Sequence, residues 1–209
     1  MLTVGNSAAV VEELLGNGLL SCPGCGGRLG GWGHAVRRPV FTVGRVPVAV
    51  RPRRARCASC GVTHVLLPAW LLARRCDGTG VIGDMLARAA RGQGFRSIAA
   101  RSGVPESTVR DRLRRFRRSA DRVREFFTPL AGALAVDPVP LDPAGGPLGD
   151  AVVAVAAAAA AARGRWPGMI AVSGWELAAV LTLGSLLSPV VLFTGVRGDT
   201  PVSAVSVMT

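Results

Sequence analysis

The spacing of apolar and polar positions changes period several times along this chain, and each period predicts a different element. Residues 8–15, Ala-Ala-Val-Val-Glu-Glu-Leu-Leu, read as a short amphipathic helix closed by the stop signal Gly16-Asn17-Gly18. Between 40 and 50, Val40, Thr42, Val46, Val48 and Val50 alternate or pair with β-formers around Gly44-Arg45, which predicts a hairpin. Pro47 cannot donate to a neighbouring strand, so its own strand is expected at an edge. Over residues 80–90, Val81, Ile82, Met85, Leu86 and Ala89 recur at the spacing of one buried helix face, and helical periodicity runs on to 127 with few breakers beyond Gly92, Gly94, Gly103 and Pro105. Residues 137–149 hold four prolines and three glycines and read as a linker. Beyond 150 Ala, Val and Leu dominate. The run 152–162 is too short to span a bilayer, which needs ~20 residues. The longer stretch 169–193 is interrupted by Glu176 and Pro189 and weakened by Gly174 and Gly184, so a partly buried helix pair is expected, followed by a tail of small and polar residues expected to fray.

Within the helical stretch, Phe95-Arg-Ser-Ile-Ala-Ala-Arg-Ser-Gly-Val-Pro-Glu-Ser-Thr-Val-Arg-Asp-Arg-Leu113 has the spacing of a helix-turn-helix. Ala99 is small where two helices would cross closely, and Gly103 supplies a left-handed turn between them. Ile98, Val104, Val109 and Leu113 point inward, and Pro105 suits the first turn of the second helix, expected over 105–123. Ser102 departs from the pattern at a place usually held by an apolar residue. The outward face near the start of the second helix carries Ser107, Arg110, Asp111 and Arg114, candidates to reach base edges in a major groove. Arg110 and Arg114, four residues apart, share a face and each suits a guanine O6/N7 pair. Arg96, Arg101, Arg115, Arg117 and Arg118, with Arg53 and Arg54 from the preceding segment, are candidates for phosphate contacts.

Charge sharpens this picture. All 25 basic residues are arginines and there is no tyrosine, a bias that first reports a GC-rich gene. Its distribution is more telling. Residues 1–75 carry ten Arg against Glu12 and Glu13, residues 76–127 twelve against six acids, and residues 128–209 three against five. A gene-wide bias cannot produce that asymmetry, and a basic two-thirds joined to a faintly acidic end is the footprint of a polyanion-binding module, nucleic acid before an anionic membrane surface. The N-terminus has no positively charged n-region and its apolar stretch contains two glutamates, so no signal peptide is expected, and the expected location is cytoplasmic and nucleoid-associated.

Cys22-Pro-Gly-Cys25-Gly26 and Cys57-Ala-Ser-Cys60-Gly61 are two copies of C-x-x-C-G with 31 residues between them. Two such turns facing one another make a closed tetrahedral thiolate cage, the donor set of one structural zinc. Disulfides would require export, a redox C-x-x-C usually comes once beside a βαβ unit, and a rubredoxin-like iron centre is typically acidic and aromatic-rich where this segment is basic. Cys76 is left over and is expected as a reduced buried thiol; His34 and His64 are expected at the surface or behind the thiolates.

Residues 22–27 and 57–61, the stretch Leu66-Leu-Pro-Ala-Trp-Leu-Leu-Ala-Arg-Arg75 and the helix-turn-helix together resemble a family of small proteins of high-GC bacteria. These join a zinc-ribbon domain of unknown function to a helix-turn-helix, are associated with insertion elements, and are similar to the N-terminal DNA-binding part of transposases. The resemblance covers residues 20–127 and implies Cys22, Cys25, Cys57 and Cys60 as zinc ligands and the helix around Arg110 as the DNA reader. A transposase also needs carboxylates for two metal ions. Outside the linker the last 82 residues offer only Asp150, Glu176 and Asp199, and both histidines belong to the cysteine segment, so no catalytic centre is expected.

The expected architecture is therefore α+β. An N-terminal helix (1–19) precedes a four-cysteine zinc ribbon of small antiparallel β (20–75), an all-α trihelical helix-turn-helix domain (76–127), a Pro/Gly linker (128–149) and a mostly helical, weakly ordered C-terminal segment (150–209). The expected function is DNA binding by an accessory or regulator linked to a mobile element. A host transcriptional repressor and a zinc-ribbon protein-interaction adaptor are the alternatives, with an electron carrier more remote. Expected partners are double-stranded DNA and either a second copy, through the C-terminal apolar segment, or a transposase, with no small-molecule substrate and no membrane.

Overall fold

The computed structural model describes residues 1–188 and Phe193; Pro189 and the small, polar tail lie outside the described residues. The architecture is mixed α+β. The N-terminal part contains β1 (Leu2–Val4), α1 (Ala8–Gly16), β2 (Leu29–His34), β3 (Arg38–Phe41), β4 (Pro47–Val50), β5 (Arg53–Cys57) and β6 (Thr63–Pro68). The remainder is helical: α2 (Thr79–Ala90), α3 (Phe95–Ser102), α4 (Glu106–Leu134), α5 (Pro147–Arg165) and α6 (Gly174–Leu181).

Helix α1 begins where Ser7 accepts the Val10 N–H and ends where the Asn17 N–H reaches the Glu13 and Leu15 carbonyls. Its buried Val11 and Leu15 join Val4, Leu20, Leu29, Ala55 and Leu66 in a small core that also takes in Cys22 and Cys57. The hairpin expected between the cysteine pairs is present as β3–β4, with Val40 opposite Val48 and Phe41 opposite Pro47. It forms a two-stranded sheet of its own, however. The cysteine turns hang on a different sheet, ordered β1-β6-β5-β2. Strand β1, three residues long, is too short for its pattern to announce it, and its Leu2–Leu66 pairing with β6 is parallel, so this sheet is not purely antiparallel as expected.

In the helical part, Ile98, Ala99, Val104, Val109 and Leu113 are all buried, and Gly103 makes the turn between α3 and α4 at φ 67°. Pro105 stands one residue before α4 rather than in its first turn, and its carbonyl accepts the N–H groups of Thr108 and Val109. Ser102 holds its unusual place by hydrogen bonding: its hydroxyl donates to the Ala99 carbonyl and accepts the Val104 N–H, closing the turn locally.

Two expectations about the C-terminal third are corrected. Helix α4 does not stop near residue 123 or 127 but runs to Leu134, because Phe127, Leu130, Ala131 and Leu134 continue its buried stripe. Pro129 is tolerated inside it on the exposed side. The connection is thereby shortened to residues 135–146, and α5 beyond it is core, not a weakly ordered appendage. Ala151, Ala154, Val155, Ala158, Ala159 and Ala162 of α5 are buried in the same cluster as the apolar side of α4. Alanine at these positions lets the two helices pack closely, and the dense contact removes side chains from water on both. By length and composition α5 is the one helix among the described residues that is apolar enough to cross a membrane. Glu176, which interrupts the last apolar stretch, completes a capping box with Ser173 at the start of α6.

Two of the places that join the β-rich and helical parts rest on side-chain hydrogen bonds and ion pairs. Asn6 donates to Glu176 (2.6 Å) and accepts the Trp70 N–H (3.2 Å). At the second place Asp77, 1% exposed, binds Arg45 at the tip of the β3–β4 hairpin (2.8 Å) and Arg112 of α4, itself 4% exposed. Arg45 lies over the Phe41 ring, 4.0 Å from its centroid, and its side chain rests on the Gly103 turn.

Candidate metal centre and basic helix face

Each cysteine turn is built by the same pair of backbone hydrogen bonds. The Cys22 N–H donates to the Gly27 carbonyl and the Gly26 N–H returns to the Cys22 carbonyl; Cys57, Val62 and Gly61 repeat the pattern. Gly26 and Gly61 sit at φ 72° and 71°, a backbone region costly for any residue with a Cβ, which is the reason for glycine after each C-x-x-C. Strands β2 and β5 bring the turns face to face, with Leu29 paired to Cys57. The four sulfurs lie within 4.8 Å of one another, with Cys22 to Cys60 at 3.8 Å and Cys25 to Cys57 at 3.5 Å. A tetrahedral ion with metal–sulfur bonds of about 2.3 Å spaces its sulfurs about 3.8 Å apart. The cage therefore fits one metal ion.

Electrostatics within the cage are uneven. The Cys60 N–H, 3.5 Å from the Cys57 sulfur, favours the thiolate and brings Cys57 down to about 6. The Gly24 N–H lowers Cys22 likewise. Cys25, although the Gly27 N–H favours its thiolate, is pushed up to about 12 by the sulfurs of Cys57 and Cys60. A cation at the centre removes this conflict by stabilising four thiolates together. Behind the cage, His64 is 5% exposed and its Nε2 lies 3.3 Å from the Cys22 sulfur, while Nδ1 faces the Met1 amino nitrogen at 3.2 Å. Burial lowers the His64 pKa. A neutral ring donating from Nε2 steadies the Cys22 thiolate from outside the cage. His34 is exposed. Cys76, expected to be buried, is exposed beside the Asp77 carboxylate, because its neighbour Asp77 takes the inward position instead.

The second candidate feature is the outer face of α4. Ser107, Arg110, Arg114, Arg117 and Arg118 are all exposed there, opposite the buried Val109, Leu113 and Phe116. The Arg110 guanidinium lies 5.9 Å from the Phe95 ring centroid. Asp111 is half-buried, bonded to Arg115 at 2.6 Å and Arg114 at 2.9 Å, and these two arginines hold its carboxyl below the usual range. On α3, Arg101 is exposed and Arg96 lies 3.8 Å from Glu106. Arg53 and Arg54 belong to β5, away from this helical face. Arg53 is already engaged by Glu12 at 2.6 Å and by the Gly33 carbonyl. Arg54 is half-buried, registered opposite Val65.

Three residues escaped the sequence reading. Asp77, Arg112 and Arg45 form the buried ionic link between hairpin and helices. The signal was present for one of them, since Arg112 falls three residues after Val109 and directly before Leu113, on the apolar side of its helix. Comparison of the chain with models of known protein families, with curated proteins and with solved structures found no match in any of the three.

Proposed function

We propose that this chain is a double-stranded-DNA-binding protein, an accessory or regulator linked to a mobile element. The cysteine cage is read as a zinc ribbon holding one structural zinc, and α3 and α4 as a helix-turn-helix. The observation that carries this reading is the arginine face of α4. A helix buried on one side by Val109, Leu113 and Phe116 presents Arg110, Arg114, Arg117 and Arg118 on the other, immediately after a tight glycine turn. Arg110 and Arg114 stand one turn apart, within reach of base edges, and suit bidentate contact with guanine. Arg117 and Arg118, further along, suit phosphates as the helix leaves the groove, as do Arg96 and Arg101. Zinc is preferred to iron because the segment around the cage is rich in arginine, with Trp32 and Phe41 its only aromatics between the two cysteine turns.

The test is titration of the zinc-loaded chain against duplex DNA over a series of salt concentrations. Affinity should fall steeply, by ~0.9 log units per log unit of salt for each phosphate neutralised. One observation favours a second reading, a protein-interaction adaptor: Val36, Val43 and Val46 of the hairpin region are exposed. Duplex affinity that stays weak at low salt would select the adaptor.

A further inference from the structure

Beside the arginine face of α4 lies a cleft of about 270 Å³, lined by Arg74, Arg75, Cys76, Ser107, Thr108, Asp111 and Arg112. Its electrostatics are lopsided. The sole lining carboxylate, Asp111, has Arg114 and Arg115 on its two oxygens, and Arg112 is matched by Asp77. Arg74 and Arg75 have no such match. Among the described residues Arg74 has no ion-pair partner and is exposed. Among the described residues the Arg75 guanidinium reaches only backbone carbonyls, those of Leu187 (3.0 Å) and Arg74 (3.5 Å), and its Nε is buried with no hydrogen-bond partner there. Burial and the nearby charges of Arg115 and Arg112 lower its pKa, outweighing Asp111 and Cys76, which act the other way. A half-buried cation crowded by other cations is stabilised by an anion from outside. Backbone geometry points the same way, for Arg74 is held at φ 58°, a conformation that L side chains rarely adopt and that persists where its surroundings impose it.

We propose that this cleft is a phosphate pocket that receives one phosphate of the DNA backbone, with Arg74 and Arg75 as its ligands. The proposal rests on the DNA-binding reading. Its location selects the DNA backbone over a free anion: Ser107 forms one wall, three residues from Arg110, so a duplex lying along the arginine face passes the mouth of the cleft. Ser107 then donates to phosphate instead of reading a base, and Asp111, fixed by its two arginines, orients Arg114 and Arg115. The segment between sheet and helices thereby becomes a second contact to DNA.

The experiment compares the full, zinc-loaded wild-type chain with Arg74→Gln, Arg74→Lys and Arg165→Gln on a random-sequence duplex of about 20 base pairs, at a series of salt concentrations. Arg165 is the control, an exposed arginine at the end of α5, the helix that covers the buried side of α4. Arg74→Gln should lower the salt slope by ~0.9, so that its loss of affinity between 50 and 200 mM salt is roughly 3.5-fold smaller than that of the wild type. Arg74→Lys should restore the slope and Arg165→Gln should leave it unchanged. An unchanged slope in Arg74→Gln, or an equal drop in Arg165→Gln, overturns the pocket while leaving the DNA reading intact. Failure of the wild type to bind duplex at any salt overturns both. Titration with inorganic phosphate, followed at the Ser107 and Thr108 backbone amides, then tells whether the cleft takes a free anion instead.

Discussion

Replacing Asp77 by Ala should be strongly destabilising. Asp77 is 1% exposed and gives one carboxylate oxygen to Arg45 and the other to Arg112, which is 4% exposed. Its removal leaves the Arg112 guanidinium buried, with the Met85 sulfur at 3.8 Å as its remaining hydrogen-bond partner among the described residues. Breaking a buried pair by deleting one partner costs about 3–5 kcal/mol, because the remaining charge keeps its desolvation penalty. For a chain of this size that corresponds to a fall of roughly 6–20 °C in melting temperature. Removing both charges avoids the orphan. Asp77→Ala combined with Arg112→Met should recover most of the loss, since a well-packed apolar replacement of a buried pair is often nearly neutral. Arg45→Ala should cost much less, its side chain being about one-third exposed. Urea unfolding of the zinc-loaded single and double variants measures these differences as midpoint shifts. A cost below about 1 kcal/mol for Asp77→Ala, or a double variant no more stable than the single, would refute the view that a buried charge holds the hairpin to the helices.

Elemental analysis should find one metal ion per chain, lost on Cys22→Ser or Cys60→Ser and retained in Cys76→Ser. Four thiols must lose their protons to bind it, so metal affinity should fall as pH falls, and binding near neutral pH should release a proton from Cys25, whose pKa is pushed up to about 12; no measurable proton release would contradict the cage. His64→Leu should keep the ion but weaken its affinity ~10-fold or more by removing the hydrogen bond to Cys22, as a chelator competition would read. Gly83→Ala should destabilise by ~1–3 kcal/mol because its Cβ would fall 2.0 Å from the Trp175 ring, whereas Gly132→Ala, with open space around it, should be neutral or stabilising by up to ~1 kcal/mol in thermal unfolding.

The elements that were legible in the sequence are those whose signal is local. The two helices α3 and α4 and the glycine turn between them are signalled by Ile98, Ala99, Gly103, Val104, Val109 and Leu113, all within sixteen residues, and all but the turn glycine are buried. The hairpin turn at Gly44-Arg45 and the grouping of four cysteines were legible for the same reason. The features that escaped depend on distant partners. Strand β1 exists only because Leu2–Val4 can lie alongside residues 66–68. Asp77 looks like any surface acid until Arg45 and Arg112 arrive from 32 and 35 residues away. The alanine run of α5 has almost no amphipathic contrast, so its period could not say which side faces α4. Only the packed partner, with Phe127, Leu130 and Leu134 prolonging the buried stripe of α4, makes it core.

The proposed reading of DNA by the first turns of α4 is tested most directly by binding of wild type, Arg110→Ala and Arg117→Ala to a duplex selected from a random pool and to random duplex. The wild type should enrich a defined site. Arg110→Ala should lose ~1–3 kcal/mol at that site and far less on random duplex, because a bidentate base contact is removed. Arg117→Ala should weaken both about equally and reduce the salt slope by roughly one phosphate's worth. Failure of the selection to enrich any sequence, or equal losses on both duplexes for Arg110→Ala, would contradict base reading by this face of the helix.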